Sequence, residues 1–243
     1  MLGVGGSIHY SRVESALNAT KSVSLDGTND FIDCSDAIAN SVKLIGSVSI
    51  WVKMDTGASN DAIWAMGTDT SNDNKLIFFH STSNDELRFL YRGDSTNTQV
   101  GYSIAEGTFI SGGWAHCVAT WDQTAPSIKI YFNGAQVAAG TASTTAYTTT
   151  ANKIFLGKAT NADNTYWAGH FSNYALYNKV LSASQVLSLY NNGKPGDLSE
   201  GQTNGLVQWL KLDEASGTFA DSSGNSRTGA GQNSPTQGVT DAP

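Results

Sequence analysis

The sequence is poor in charged residues, and the shortage of basic ones excludes several kinds of partner. Only 14 of its 243 residues are Lys or Arg, whereas 21 are Asp or Glu, and the net charge is −7. The basic residues are scattered singly, so no stripe could neutralise a phosphate backbone or an anionic membrane surface. We therefore expect no nucleic-acid partner. No stretch reaches the roughly 20 apolar residues of a membrane span, so we expect no membrane insertion either.

Cysteine is also scarce, and the N-terminus lacks an export signal. Cys34 and Cys117 are the two cysteines and allow one disulfide at most. Cys117 lies in the apolar stretch WAHCVATW, where a buried free thiol is the expected state. The first 20 residues have neither the basic start nor the apolar run of a secretory signal. Three explanations stay open: release by another route, such as lysis of a host by a phage, a fragment, or a mature chain.

What the sequence does contain, from Lys21 onward, is a series of short apolar stretches separated by Gly, Asn, Asp and Ser. They predict strands at SVSLDG, DFIDC, SVSIWVKM, DAIWAMG, KLIFFH, ELRFLYR, QVGYSI, WAHCVATWD, SIKIYFNG, AQVAA, NKIFLGK and YWAGHFSNYALYNK. Asn133-Gly134 is the typical two-residue turn of a hairpin. Because helices do not alternate with these strands, the pattern predicts an all-β sandwich. The Thr-rich residues 141–150 fit either a loop or an exposed strand.

One helix is predicted near residues 182–190. Ser182 and Gln185 have the spacing of a capping box at its start. Leucine, valine and tyrosine then form an apolar face, and residues 191–193, Asn-Asn-Gly, are typical of a helix end.

In this order the motifs resemble the laminin G-like, concanavalin A-like jelly-roll family, from about Lys21 to Gly193. SVSLDGTNDFIDC is similar to the opening strand pair of that family, and WAHCVATWDQTAPSIKIYFNGAQVA to its hairpin. IFLGK, followed by WAGHFSNYALYNKVLSASQVLSLYNNG, is similar to its closing strand, bend and helix. The resemblance implies a concanavalin A-like jelly-roll sandwich of two antiparallel sheets, of the kind found in phage virion proteins.

The segment GLVQWLKLDEASGTFADSSGN, which begins at Gly205, resembles a segment that comes first in many family members. We predict three parts on this basis: an N-terminal arm at 1–20, a jelly-roll body at 21–195 and a C-terminal segment at 196–243. About 39 residues cannot form a sandwich alone. The last segment therefore either completes the sandwich as a permuted strand or pairs with a neighbouring subunit.

Paired carboxylates, which glycanases of this fold would need, are missing. A glycosidase holds two carboxylates about 5–9 Å apart, and on a strand this requires acidic residues at alternate positions. The five glutamates are Glu14, Glu86, Glu106, Glu200 and Glu214, and none lies in such a cluster. We therefore expect no enzymatic activity. In the family the closing strand often carries an acidic pair, and here Ser172 and Asn173 take its place.

Calcium is the metal that the polar loops would suit. Ca²⁺ takes six to eight oxygen ligands from carboxylates, amides and carbonyls, and the resemblance implies one calcium near Asp- and Asn-rich loops. Asp221 and Asn225, in ADSSGNS, are the predicted ligands. A second group is Asp26, Asp30 and Asp33. The alternative is that these side chains cap turns.

A sugar site is predicted in the loop KATNADNTYW. Asn161, Asp163, Asn164, Tyr166 and Trp167 combine amides and a carboxylate with aromatic rings. This composition suits the hydroxyls and the apolar face of a sugar. The alternative is a polar loop that leads into a core tryptophan.

Taken together, these features predict a non-enzymatic virion structural protein, a phage capsid decoration or appendage subunit with weak adhesion to host glycans. We expect a homo-oligomer within an assembly, located in the virion, that contacts other capsid or tail proteins through residues 1–20 and 196–243. The alternative function is an extracellular carbohydrate-binding or adhesion module, located outside the cell or at its surface.

Overall fold

The computed structural model describes residues 16–36, 38–57, 61–68, 74–94, 96–143, 145, 147–160, 165–199 and 201–243. Most of the predicted N-terminal arm, residues 1–15, lies outside the described residues. In the remainder of the arm, Leu17 donates its backbone N–H to the carbonyl of Pro195 at 2.7 Å. This part of the arm therefore lies against the turn that follows the last helix.

Fifteen strands and three short helices are present among the described residues. The strands are β1 (Ser22–Asp26), β2 (Phe31–Asp33), β3 (Ile45–Thr56), β4 (Asp61–Gly67), β5 (Lys75–Ser81), β6 (Glu86–Gly93), β7 (Thr96–Ser103), β8 (Ala115–Asp122), β9 (Ser127–Phe132), β10 (Ala135–Gly140), β11 (Lys153–Leu156), β12 (Ala168–Tyr177), β13 (Leu206–Leu210), β14 (Ala230–Gln232) and β15 (Thr236–Val239). The helices are α1 (Ile38–Val42), α2 (Glu106–Ser111) and α3 (Ala183–Tyr190).

The strands form two antiparallel sheets, which confirms the predicted jelly-roll sandwich. The first sheet has the order β10-β9-β8-β3-β12-β1-β15, with β13 also paired to β12. The second has the order β14-β2-β11-β4-β5-β6-β7. None of the helices of the described residues is long and apolar enough to cross a membrane.

The core lies between the two sheets and is built from the alternation that the sequence shows. In β6 every second side chain is buried, so Leu87, Phe89 and Tyr91 face inward. Trp121 stacks on Phe89 at 5.5 Å and on Trp64 at 5.4 Å, measured between ring centroids. Aromatic side chains of this size bury about 150–250 Å² each and contribute strongly to the stability of such a core.

The predicted hairpin and the predicted helix are both confirmed. Asn133 and Gly134 have φ angles of 48° and 80° between β9 and β10, as the favoured two-residue turn requires. Helix α3 begins with the capping box of Ser182 and Gln185. It ends at Asn191 in the left-handed conformation.

Helices α1 and α2 were not predicted, because five or six residues are too few to show a helical period. Each contributes apolar side chains to the core, among them Ala39 and Phe109.

The described part of residues 141–150 is irregular, so it forms a loop and not an exposed strand. Cys34 and Cys117 are both free and buried, which confirms the buried free thiol predicted for Cys117.

His116 is buried beneath α3. Its ring stacks with Trp51 at 5.2 Å and with Tyr190 at 6.2 Å. Its Nε2 atom lies 2.8 Å from the hydroxyl of Ser49. Burial lowers the pKa of His116 to about 3, so the ring is neutral at physiological pH.

The C-terminal segment adds strands to both sheets of its own chain. Strand β12 pairs with β3 along one side, and along the other with β1 first and then β13. The change of neighbour occurs at Asn173, which has a φ of 47°. Its Oδ1 accepts a hydrogen bond of 2.6 Å from Nε1 of Trp209. Farther along, β14 pairs with β2 and β15 with β1.

Asp221 organises the loop between β13 and β14. Its carboxylate accepts hydrogen bonds from the backbone N–H groups of Trp209, Ser223 and Arg227, at 2.9–3.0 Å, and from the Ser223 hydroxyl at 2.9 Å. Burial raises the pKa of Asp221, but these hydrogen bonds outweigh burial and leave the pKa below its ordinary value.

Deletion of residues 205–243 is expected to expose the edges of β1 and β2 and to leave residues 174–177 of β12 paired with β3 alone. It also removes Leu210, Leu212 and Phe219 from the core, each worth about 2–5 kcal/mol. We expect the Tm to fall by more than about 10 °C, with aggregation. Calorimetry and light scattering measure this, with deletion of residues 242–243 as the control. A truncated chain that stays soluble, monomeric and equally heat-stable would contradict it.

The substitution Asp221→Asn is expected to lower the free energy of unfolding by about 1–2 kcal/mol at pH 7, because the hydrogen bonds lose their charged acceptor. Since the folded-state pKa is lowered, the stabilisation is complete above the unfolded pKa of 3.8 and disappears as the pH falls below it. Urea denaturation from pH 7 to pH 3 measures both effects, with Asp213→Asn as the control. If the difference in unfolding free energy between the wild-type chain and Asp221→Asn did not shrink at low pH, the carboxylate would be ruled out as its source.

Candidate functional site

Trp114 differs from the other tryptophans of the chain. Five of the six, Trp51, Trp64, Trp121, Trp167 and Trp209, are fully buried. Trp114 is half-buried and stands immediately before β8. The fold buries every other indole, whereas the ring of Trp114 remains in contact with solvent at the end of the sandwich. This exposure makes Trp114 the starting point for a candidate binding site.

A carboxylate holds the indole of Trp114 in place. Nε1 of Trp114 donates to one oxygen of Asp241 at 2.9 Å, and Nζ of Lys53 donates to the other at 2.5 Å. The hydrogen bond from Lys53 to Asp241 raises the pKa of Lys53. Burial raises the pKa of Asp241, but the bonds from Lys53 and Trp114 outweigh burial and lower it. Both groups are therefore charged at neutral pH, although each side chain is about one third exposed, at 30% and 36%.

His170 and Asp55 extend this group of side chains. The imidazole of His170 lies edge-on to the Trp114 ring, with centroids 6.2 Å apart. Its Nε2 is 3.3 Å from a carboxylate oxygen of Asp55, and its Nδ1 is 3.4 Å from the hydroxyl of Ser22. A ring with Nε2–H as donor and Nδ1 as acceptor satisfies both contacts. We call Lys53, Asp55, Trp114, His170 and Asp241 the Trp114 cluster.

The fold brings this cluster together from four separate parts of the chain. Lys53 and Asp55 alternate along β3, and Lys53 is paired with His170 of β12. Gly169 has a φ of 140°, and a Cβ atom there would collide with the carbonyl of Lys53. Glycine is thus required for the close approach of these two strands. Asp241 follows β15, which reaches the site because it pairs with β1.

A cavity of about 140 Å³ adjoins the cluster and shares Trp114 with it. It lies beneath α2, between the start of β8 and the end of β9, and is partly open. Its walls include Ile104, Thr108, Phe109, Trp114, Phe132 and Asn133. We call it the α2 cavity. A polar cluster, an accessible indole and an apolar recess therefore meet at one end of the sandwich.

The residues predicted to bind sugar are only partly described. Asn161, Asp163 and Asn164 lie outside the described residues. Trp167 is fully buried and stacks on Phe171 with centroids 5.5 Å apart. Its ring belongs to the core, as the alternative interpretation held, and its faces are not offered to a ligand.

Tyr166 is half-buried and lies beside a cation. Nζ of Lys158 is 5.9 Å from the Tyr166 ring, 4.5 Å from that of Phe31 and 5.2 Å from that of Phe155. The ammonium group thus packs over aromatic faces of the second sheet. Tyr166 is not part of the Trp114 cluster.

The predicted calcium ligands hold turns together. Asn225 donates its amide N–H groups to the carbonyls of Leu206 and Val207, at 3.3 Å and 3.2 Å, and Asp221 accepts the bonds given above. Asp26 accepts three backbone N–H bonds within its own turn. No group of three or more His, Cys, Asp or Glu side chains suited to a metal occurs among the described residues. Calcium at Asp221 and Asn225 stays a prediction.

The Trp114 cluster was not found from the sequence. One feature of the sequence near Trp114 could have indicated an exposed ring: Gly112-Gly113 come directly before it and mark the start of a strand. The sequence near Asp241 has no such feature, because an aspartate in a short polar stretch has no pattern to mark it.

Solved structures of other proteins share this fold. A candidate carbohydrate-binding protein from Bacteroides ovatus is 19% identical, with a TM-score of 0.64 over 93% of this chain, and this chain spans 62% of its length. The CBM40 module of the Ruminococcus gnavus IT-sialidase, bound to α2,3-sialyllactose, is 13% identical, with a TM-score of 0.59 over 70% of this chain and 96% of its own. Domain 4 of the GH43 arabinanase AbnA from Geobacillus stearothermophilus, with arabinotriose, is 20% identical, with a TM-score of 0.54 over 73% and 80%.

In sequence, no curated protein matches the chain. A family model does match residues 26–187, which are more than half of the chain. The match runs from the end of β1 into α3, so it contains the body of both sheets and leaves β13, β14 and β15 outside. The chain therefore belongs to the Laminin_G_3 family, the concanavalin A-like lectin/glucanases superfamily.

Proposed function

We propose that this protein is a non-catalytic carbohydrate-binding module and that its sugar site is the Trp114 cluster. The observation that carries the proposal is the half-buried indole of Trp114, fixed by Asp241 among Lys53, Asp55 and His170. An aromatic ring offers a surface for the apolar face of a sugar ring, and the surrounding donors and acceptors suit its hydroxyl groups. A side chain already held in one orientation loses little entropy when a ligand binds.

The comparisons support a binding role rather than a catalytic one. The superfamily is named for both lectins and glucanases, and the structural neighbours include non-catalytic modules or domains seen with sialyllactose and with arabinotriose. Each of the three described glutamates has a partner outside the Trp114 cluster: Glu86 binds Arg88, Glu106 accepts the backbone N–H of Gly57, and Glu214 accepts that of Ala220. A carbohydrate-binding module implies a location outside the cell or at its surface.

The virion role stays a prediction. It rests on composition and on the resemblance to phage proteins, and none of the contacts among the described residues bears on it. The same is true of a homo-oligomer and of other virion proteins as partners. Imaging of intact particles that contain the chain would test all three.

Trp114→Ala is expected to weaken glycan binding at least about tenfold. Tenfold corresponds to about 1.4 kcal/mol, which is the order of one aromatic contact. A glycan array of the whole chain identifies a ligand, and calorimetry then compares the variants. Trp114→Phe keeps a ring but loses the N–H that Asp241 accepts, so we expect an intermediate loss.

Tyr166→Ala is the matched control, because Tyr166 is also a half-buried aromatic but lies in the loop that the sequence singled out. We expect its affinity to be unchanged. Loss of binding in Tyr166→Ala alone would move the site to that loop. A wild-type chain that bound no glycan on the array would contradict the proposed function itself.

The calcium prediction is tested by measuring the Tm of the chain with EDTA and then with added CaCl₂. If the predicted ligands hold a structural calcium, EDTA lowers the Tm, CaCl₂ restores it, and Asp221→Asn abolishes the response. An identical Tm under all conditions would contradict a calcium ion at Asp221 and Asn225.

A further inference from the structure

The α2 cavity is too small for a whole sugar and well suited to one substituent. Pockets that enclose a complete small ligand have about 300–1,000 Å³, whereas this cavity has about 140 Å³. An apolar cavity of about 150 Å³ can hold a benzene molecule, so this cavity has room for a substituent of up to about six heavy atoms. An acetamido group has four: the nitrogen, the carbonyl carbon and oxygen, and the methyl carbon.

The walls of the cavity favour an apolar group that carries an amide. Ile104 and Phe109 are buried and Phe132 is half-buried, so the inner surface is largely hydrocarbon. A hydroxymethyl or carboxylate group would lose its hydration there without full compensation. A methyl group gains from the same burial.

Polar atoms that suit the amide lie at the edge. Thr108 lines the cavity and is exposed, so this residue lies at the open side. Asn133 accepts the backbone N–H of His116 with its Oδ1 at 2.9 Å, so its NH₂ group is the part that remains to donate. The carbonyl oxygen of a ligand amide could accept a hydrogen bond from this NH₂ group.

The position of Trp114 connects this cavity to the proposed sugar site. The indole is both a wall of the cavity and a member of the Trp114 cluster. A sugar ring against the indole would therefore have its substituents at the cavity mouth. The cluster itself carries Lys53 against Asp55 and Asp241, so it offers no surplus of positive charge to an acidic sugar.

We propose that the α2 cavity receives the acetamido group of a neutral N-acetylamino sugar and makes the protein selective for such sugars. This proposal rests on the proposed function and goes further, because it names the class of ligand and the residues that select it.

The test compares matched sugars on the whole chain by calorimetry or by ligand-observed NMR. The probes are N-acetylglucosamine with glucose, N-acetylgalactosamine with galactose, and L-fucose as a sugar with a methyl but no amide. We expect each acetylated sugar to bind about tenfold more tightly than its partner, from one buried methyl group and one hydrogen bond.

Two variants locate the selectivity. Thr108→Phe places a ring at the open side of the cavity and is expected to abolish the tenfold preference while weak sugar binding persists. Ser111→Phe adds the same ring to the same helix at an exposed position outside the cavity lining and is the control. Both positions are exposed, and an unchanged Tm verifies that each variant is folded.

The outcomes separate the two proposals. Equal affinity for acetylated and plain sugars, or a preference for fucose alone, overturns the acetamido assignment and leaves the carbohydrate function standing. A preference that persists in Thr108→Phe overturns the cavity as its source. If no probe binds and the glycan array is also blank, the proposed function fails and the inference fails with it.

Discussion

The left-handed turn at Asn173 is the constraint on which the rest of the structure depends. It interrupts β12 so that the strand pairs with β1 over its first half and with β13 over its second. Asparagine tolerates this conformation better than most residues. Here its side chain also satisfies the buried N–H of Trp209 at 2.6 Å. Asn173 thus marks the point at which β13 replaces β1 as the neighbour of β12 on that side.

The candidate site follows from that arrangement. Once β13 is paired to β12, the chain continues through the loop that Asp221 organises and adds β14 and β15 to the edges of the two sheets. Asp241 comes directly after β15 and accepts the N–H of Trp114. A residue outside the part of the chain that matches the family therefore completes a cluster whose other four members lie inside it.

Local patterns were enough for most of the fold, since they depend on neighbours in the sequence. Alternation marked strands such as β6, Asn133-Gly134 marked the hairpin, and the capping box at Ser182 marked α3. The two shorter helices were missed because they extend for hardly more than one turn. In the predicted sugar loop Trp167 is a core residue, because a tryptophan beside polar residues looks the same whether its ring faces inward or outward.

The sequence by itself determined the class of fold, the family resemblance, the absence of a clustered glutamate pair and the scarcity of basic residues, because each of these is a matter of composition or short-range spacing. Only the tertiary structure decided which tryptophan meets solvent, where the C-terminal segment pairs and which carboxylate holds the indole. The physical reason is distance along the chain: the hydrogen bond from Trp114 to Asp241 joins residues 127 positions apart. No local pattern can encode such a contact, because it exists only after the strands between them have paired.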